Sequence, residues 1–347
     1  MFEPLNDQPS REDQVIARFA GSGKKSHRTQ PVRPTVGEIL PPRIKAIEIA
    51  DLLQRAFPPM EAMLAPWLRK QYLAMIYSRR GVGKTHFATN VAYAVASGGA
   101  FLKWKADQPR KVLYIDGEMP GAAIRDRLAA IVAANSDEPP EGYFRIITPD
   151  VQERSLPDLG TFEGQAEITE LIGDAELIVL DNLSTLMRSG VENEGESWLP
   201  VASWALSLRR EGRAVLFVHH AGKTDQQRGT SRREDLLDVV IKLKHPGDYT
   251  PDRGAQFSVI FEKARGLYGD DVREIEASLA QNESGAQVWT YREAEGATQD
   301  RVVELVQLGM GDAEIAAELS VNRSTVFRAR RKAEEAGLIQ GGRHVKR

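Results

Sequence analysis

Residues 78–85 read Ser78-Arg79-Arg80-Gly81-Val82-Gly83-Lys84-Thr85, and His86 follows. The run has the spacing of a phosphate-binding loop, G-x-x-x-x-G-K-[ST], with serine in the first glycine slot. Gly81 and Gly83 let backbone N–H groups approach phosphate oxygens, since no Cβ stands in the way. Lys84 would reach the β and γ phosphates of a nucleoside triphosphate, and Thr85 would ligate Mg²⁺. The first glycine eases the turn while the later residues make the contacts, so Ser78 reads as a tolerated change. Arg79 and Arg80 are open between a phosphate contact, a contact to a neighbouring subunit and plain solvation. The whole run from Ser78 to His86 is taken as nucleotide-binding.

Further chemistry follows downstream. "LIVLD" ends in Asp181, a second Mg²⁺ ligand at the C-terminal tip of a strand, where open α/β sheets bind ligands. "VLYIDGEMP" sets Glu118 just past another strand, where a carboxylate can accept a hydrogen bond from water in line with a γ-phosphate. Asp116 is the alternative, nearer the strand interior. "AVLFVHH" ends in His219-His220, a candidate γ-phosphate sensor or a simple strand cap. The polar, basic loop "AGKTDQQRGTSRRED" offers Lys223, Arg228, Arg232 and Arg233 to nucleic-acid phosphate, although a solvated loop fits the same residues. "VIFEKARGLYG" carries Lys263 and Arg265 two apart on a strand-like run, so both face one way. Two cations presented together suit a polyphosphate, and at a subunit boundary they would serve a neighbour's nucleotide.

The elements around these residues alternate. "QYLAMIYS" reads as a buried strand into the glycine-rich turn, followed by a helix over 84–97 with Phe87, Val91 and Val95 on one face. "RKVLYIDGE", "YFRIIT", "AELIVLDNL" and "AVLFVHH" read as strands two to five, with helices over 121–134 and 198–210. The alternation predicts an α/β fold with a mostly parallel central sheet covered on both faces. "DVVIKLK", "QFSVIFEKA" and "VWTYR" are expected to extend that sheet through hairpins.

At 347 residues the chain accommodates about two domains plus tails. Residues 1–45, rich in Pro, Gly, Ser and basic side chains, read as a disordered or flexible arm. Residues 46–68 read as a linker helix anchored by Ile49, Leu52 and Leu53. An ATPase core is expected over 69–294 and a second, small all-α domain over 297–347. The absence of cysteine removes disulfides, thiolate zinc sites and cysteine nucleophiles, and fits a reducing cytoplasm. No apolar run approaches the ~20 residues of a membrane span. The net charge of −3 says nothing of partners by itself, because local basic regions are offset elsewhere.

Taken in order, "SRRGVGKT", "YIDGEMP", "LIVLDNLSTL", "FVHHAGKTDQQRGTS" and "EKARG" resemble the RecA-fold ATPases of the hexameric DnaB/RepA helicase class, especially plasmid and phage RepA-like helicases. The resemblance covers about residues 69–280. It implies a RecA-like P-loop NTPase core in a homo-oligomeric ring, usually of six subunits, with ATP and Mg²⁺ between neighbours. Lys84, Thr85, Glu118 and Asp181 would act from one side, and Lys263 and Arg265 from the next subunit. His220 matches the family's sensor position best. Loops near 183–197 and 221–234 would grip single-stranded DNA.

"GMGDAEIAAELSVNRSTVFRARRKAEEAGL" looks like a helix-turn-helix. Ala316 is the small residue that lets two helices pack closely, with Ile315, Leu319 and Val326 as core. Val321-Asn322 marks the turn, and Asn322 or Ser324 would cap the second helix. That helix carries Arg323, Ser324, Thr325, Arg328, Arg330, Arg331 and Lys332. Its N-terminal side chains suit duplex base edges and its later arginines suit phosphates. A protein-interaction module is the competing reading of the same helices. Two other functions share these motifs: an ATP-switched DNA-binding regulator of replication, partition or transcription, and a recombination or KaiC-like signalling ATPase.

Overall fold

The computed structural model describes residues 44–189, 198–221, 235–282, 286–319 and 321–339. The chain divides into two units, Met1–Pro59 and Met60–Arg347. In the first, the described residues hold one five-residue helix, Ile49–Leu53. Ile49 and Leu52 are exposed, so the helical spacing does not mark core anchors there. Within the linker helix region expected over 46–68, the helix spans Ile49–Leu53. Pro58 and Pro59 lack the N–H that a continuing helix needs. Beyond them the chain is extended, and Ala62–Leu64 pairs antiparallel with Leu68–Arg69.

The second unit is built on a nine-stranded sheet. Its strands are β1 Leu73–Ser78, β2 Val112–Asp116, β3 Phe144–Ile147, β4 Leu177–Asp181, β5 Ala214–His220, β6 Val239–Lys244, β7 Gln256–Ala264, β8 Ile275–Gln281 and β9 Gln287–Glu293. Their spatial order is β9-β8-β7-β6-β1-β5-β4-β2-β3. The six strands from β6 to β3 run parallel. β7, β8 and β9 are added antiparallel, as the short connections between them required. Every residue of β1, β2, β4 and β5 is buried. Burial on both faces is why these strands read as continuous apolar runs and not as alternating ones.

Helices cover both faces. α1 Lys84–Ser97 and α2 Gly121–Ala134 lie on one, and α3 Phe162–Ile172 and α4 Leu199–Arg210 on the other. Phe87, Val91 and Val95 of α1 enter the first core. There Phe87 meets Phe101 and Trp104 edge to face at 5.2 and 5.8 Å between ring centroids. Fully burying one such ring is worth roughly 1.5–3 kcal/mol, so this cluster anchors the helix that begins at the phosphate loop. The second core packs Ile168 and Ile172 of α3, and Val201 and Leu208 of α4, under the sheet beside Trp198 and Phe217.

After β9 the chain passes directly into α5 Ala294–Gln307, then α6 Asp312–Glu318 and α7 Arg323–Glu335. Val302, Ile315, Ala316, Leu319, Val326 and Ala329 form their shared core, so the apolar positions legible in this segment do pack together. Asn322 occupies the cap of α7, but no side-chain hydrogen bond is made there, and Ser324 lies within the first turn.

This helical module is fastened to the sheet by charge. Arg301 of α5 donates two hydrogen bonds to the Glu276 carboxylate of β8, at 2.6 and 2.7 Å, and one to Asp248 at 2.8 Å. Burial works against ionisation of Glu276, and the Arg301 guanidinium more than offsets it, holding the carboxyl below its ordinary range. Gly247 brings the hairpin backbone so close to the Leu319 carbonyl that a Cβ would lie 2.4 Å from its oxygen. Glu276→Ala should cost about 2 kcal/mol in denaturant unfolding, because Arg301 loses two of its charge-assisted hydrogen bonds and keeps Asp248. Among the described residues no helix is long and apolar enough to cross a membrane.

Candidate functional site

Parallel strands put their C-terminal ends along one edge, and the register there decides which side chains meet. Ser78 of β1 lies opposite His220 of β5, and Asp116 of β2 lies opposite Asp181 of β4. A cavity of about 480 Å³ opens at this edge. Its lining includes Arg80, Gly81, Gly83, Lys84, Thr85 and His86, together with Glu118, Asp181 and His220. Separate stretches of sequence thus converge on one place.

The loop backbone is set by Gly81 and Gly83, with φ of +84° and +123°. Gly83 is also sterically required, since a Cβ would lie 2.8 Å from the Phe257 ring. Lys84 is nearly buried, and its ammonium donates to the Arg79 carbonyl at 3.0 Å and to the Ser78 carbonyl and hydroxyl at 3.3 Å each. Ser78 therefore does more than tolerate the turn, because its hydroxyl helps hold the lysine. Of the loop residues taken as nucleotide-binding, Ser78, Arg79 and Val82 do not line the cavity. Ser78 is buried behind the lysine and Val82 is part of the first core. Arg79 turns to a neighbouring cavity between the β6–β7 hairpin and α5, which Arg80 also borders.

The two strand-end aspartates have different surroundings. Asp181 accepts a hydrogen bond from the Tyr114 hydroxyl at 2.6 Å and another from Thr85. Burial raises its pKa, and those hydrogen bonds and the Lys84 ammonium oppose the rise. Asp116 accepts from the backbone N–H of Met119 at 3.1 Å and of Glu118 at 3.4 Å. Burial pushes its carboxyl up to about 6 against those bonds. Asp116 thus ties down the turn that presents Glu118, and of the two candidate bases Glu118 is the one with its side chain half exposed to water. Glu118 accepts from Asn182 Nδ2 and lies 3.7 Å from His220 Nε2. Burial, and then the Lys84 ammonium, push His220 below its ordinary range despite Glu118, and so favour the neutral ring. The buried Nδ1 of His220 has no hydrogen-bond partner among the described residues.

Burial also pushes the Lys84 ammonium down to about 8, with Asp181 and Glu118 resisting. The folded value lies below the ordinary 10.5, so the unfolded chain binds more protons between those two values. The burial cost is therefore full below about 8 and is relieved as pH rises through that window. A triphosphate placed against Lys84 would restore its charge. Nucleotide binding should accordingly take up protons, increasingly from pH 7 to pH 9. Calorimetry in buffers of different ionisation enthalpy reads this directly, and Lys84→Ala should abolish it.

Two residues at the cavity carried little sequence signal. Arg127 of α2 lines it, and burial lowers the guanidinium pKa against the pull of Tyr114, Asp181 and Asp116. The trace in the sequence is that Ile124, Arg127 and Ile131 share one helical face, so an arginine sits on the inward stripe. Asn182 caps the short helix Leu183–Leu186 through its side chain and also holds Glu118. A polar residue following a strand-end aspartate gives no warning of that second role.

Lys263 and Arg265 are not part of this cavity. β7 runs antiparallel, and Lys263 pairs with Val240 while Ala264 pairs with Val239, which in turn sits beside Ala74. That is four residues back along β1 from Ser78, or about 13 Å at strand spacing. Arg265 lies just past the end of β7, its side chain 59% exposed and 3.4 Å from Asp238. Lys223, Arg228, Arg232 and Arg233, and most of the two loops expected to grip DNA, lie outside the described residues.

The oxygen donors suit Mg²⁺. Thr85 and Asp181 already touch through a hydrogen bond, and their hydroxyl and carboxylate are hard ligands. Among the described residues no group of three or more acidic or histidine side chains forms a metal cage.

The family described as an AAA domain matches residues 40–226. Among solved structures, a KaiC-like protein from the hyperthermophilic archaeon Pyrococcus horikoshii OT3 is similar at 16% identity, over 64% of this chain and 91% of that one, with a TM-score of 0.46. The flagellar accessory protein FlaH from Methanocaldococcus jannaschii is similar at 11% identity, over 64% and 90% of the two chains, with a TM-score of 0.43.

Proposed function

The chain belongs to the AAA domain family, and from that premise we propose that it is an ATP-hydrolysing, ring-forming, DNA-dependent ATPase, a RepA-like replicative helicase or loader of a plasmid, phage or integrated element. The observation that carries the reading is the separation of the phosphate cavity from Lys263 and Arg265. A cation pair about 13 Å along the sheet from its own chain's phosphate loop supports a reading in which it serves a neighbour's nucleotide.

Within one site, Lys84 and the loop amides would hold the β and γ phosphates. Thr85 and Asp181 would hold Mg²⁺, which would supply positive charge against the negative charge of the phosphates. Glu118 accepts a proton from the attacking water. Asn182 and His220 orient that carboxylate, and neutral His220 can accept or donate a hydrogen bond at the γ-phosphate. Arg265 of the neighbouring subunit stabilises negative charge as the bond to the leaving group breaks. Duplex DNA is the partner proposed for α7.

A second reading, an ATP-switched DNA-binding regulator without unwinding activity, draws on one feature. Arg79 and Arg80 of the phosphate loop border the same cavity as Arg301 and Leu319 of the helical module, so nucleotide state could reach that module directly. Steady-state hydrolysis and strand displacement separate the two. The motor should hydrolyse ATP several-fold faster with single-stranded DNA and should displace a strand in an ATP-dependent way. Hydrolysis that ignores DNA, with no displacement, would leave only the regulator.

A further inference from the structure

We propose that Phe327 reads the 5-methyl group of a thymine in the major groove of a specific duplex, and is the specificity-determining side chain of α7. This rests on the duplex-binding role proposed above.

α7 has two faces of opposite character. Val326, Ala329 and Ala333 are buried in the module. Ser324, Phe327, Arg328 and Arg331 recur at i, i+3, i+4 and i+7, and form one exposed stripe. Phe327 is 51% exposed in its middle. The core does not use this ring, and the stripe around it is otherwise polar and basic.

The surroundings define what the ring could touch. Arg323 at the start of the helix is exposed, as are Arg328 and Arg331. Arg331 pairs with Glu335 at 2.9 Å, but both side chains are more than 60% exposed. Such a surface pair holds little energy and yields readily to a phosphate. A single aromatic on a stripe with exposed arginines is too small an apolar area for a membrane. It matches a groove floor that offers one apolar group between two phosphate walls. Thymine is the base that presents such a group, its 5-methyl, in the major groove, and phenylalanine is among the side chains that contact it. Phe327 lies one turn in from the helix N-terminus, the part of a recognition helix that reaches base edges.

The test uses the full chain. Duplexes are selected from a random-sequence pool, and the winning duplex is resynthesised with deoxyuridine in place of each thymine in turn. The change removes only the methyl group. For the unmodified protein, one such replacement should weaken binding about fourfold, the worth of burying one methyl-sized group. Phe327→Ala should bind the thymine and uracil duplexes equally, with unchanged ATP hydrolysis and melting temperature, while Phe327→Leu should keep part of the discrimination. Selected duplexes that show no methyl dependence, or a dependence that survives Phe327→Ala, overturn the role of Phe327 and leave duplex binding standing. A Phe327→Ala variant that loses assembly but binds DNA normally gives the face to a second copy of the chain, and also overturns it. Failure to enrich or bind any duplex overturns both this inference and the reading beneath it.

Discussion

Glu118→Gln should lower ATP hydrolysis at least ~100-fold while nucleotide affinity stays within about threefold, the range lost when a positioned general base is removed. The amide keeps the size of the side chain and can still accept from Asn182 Nδ2. It cannot take a proton from water. Lys84 is held by the Ser78 and Arg79 carbonyls and not by a hydrogen bond to Glu118, so binding should persist. Single-turnover hydrolysis and equilibrium binding of labelled ATP give the two quantities separately. Equal losses in both would mean that Glu118 supports the site's structure and not its chemistry. Asp116→Asn offers the contrast. It weakens acceptors for the turn that carries Glu118, and so should disturb stability together with rate.

Arg265→Ala should cost on the order of 10³ in hydrolysis, as loss of an arginine finger does, with nucleotide binding intact. The substitution is structurally mild. The Arg265 side chain is 59% exposed, and its partner Asp238 keeps a hydrogen bond from the Leu73 N–H at 2.9 Å and an ion pair with Arg209. An unchanged melting temperature with a collapsed rate is therefore the expected pair of results. Hydrolysis that survives at the unmodified rate would remove Arg265 from the reaction.

Much of this site was legible because its residues sit at strand ends. Continuous apolar runs such as "LIVLD" and "AVLFVHH" mark buried parallel strands, and the residue that ends each run falls at the binding edge. Asp181 and His220 end such runs, Glu118 lies just past one, Lys84 and Thr85 follow from the spacing of the phosphate loop, and the structure brings all five to one cavity. Strand order was not legible, since nothing local to β1 states that β5 and β6 flank it. The distance between Lys263 and the phosphate loop depends on that order and on the direction of β7. Arg127 escaped notice because an arginine on a helix reads as solvated until the helix is docked. The linker helix is shorter than its apolar spacing predicts, ending at Leu53, and Pro58 and Pro59 bar a helix from continuing through them whatever the spacing. In the C-terminal module, Ile315, Leu319 and Val326 were legible from the likeness to a helix-turn-helix, whereas the Arg301–Glu276 clamp joins residues from two separate elements and left no pattern.

The central claim is that each ATP is served by two chains, and mixing two inactive variants tests it most directly. Lys84→Ala has no working phosphate loop but still offers Arg265 to a neighbour. Arg265→Ala has an intact loop but offers no finger. Each should be inert alone. After co-assembly at equal concentration, about a quarter of the interfaces join an intact loop to an intact finger, so hydrolysis should reappear at up to that fraction of the unmodified rate. A mixture that has exchanged subunits and remains as inactive as its parts would contradict a shared site.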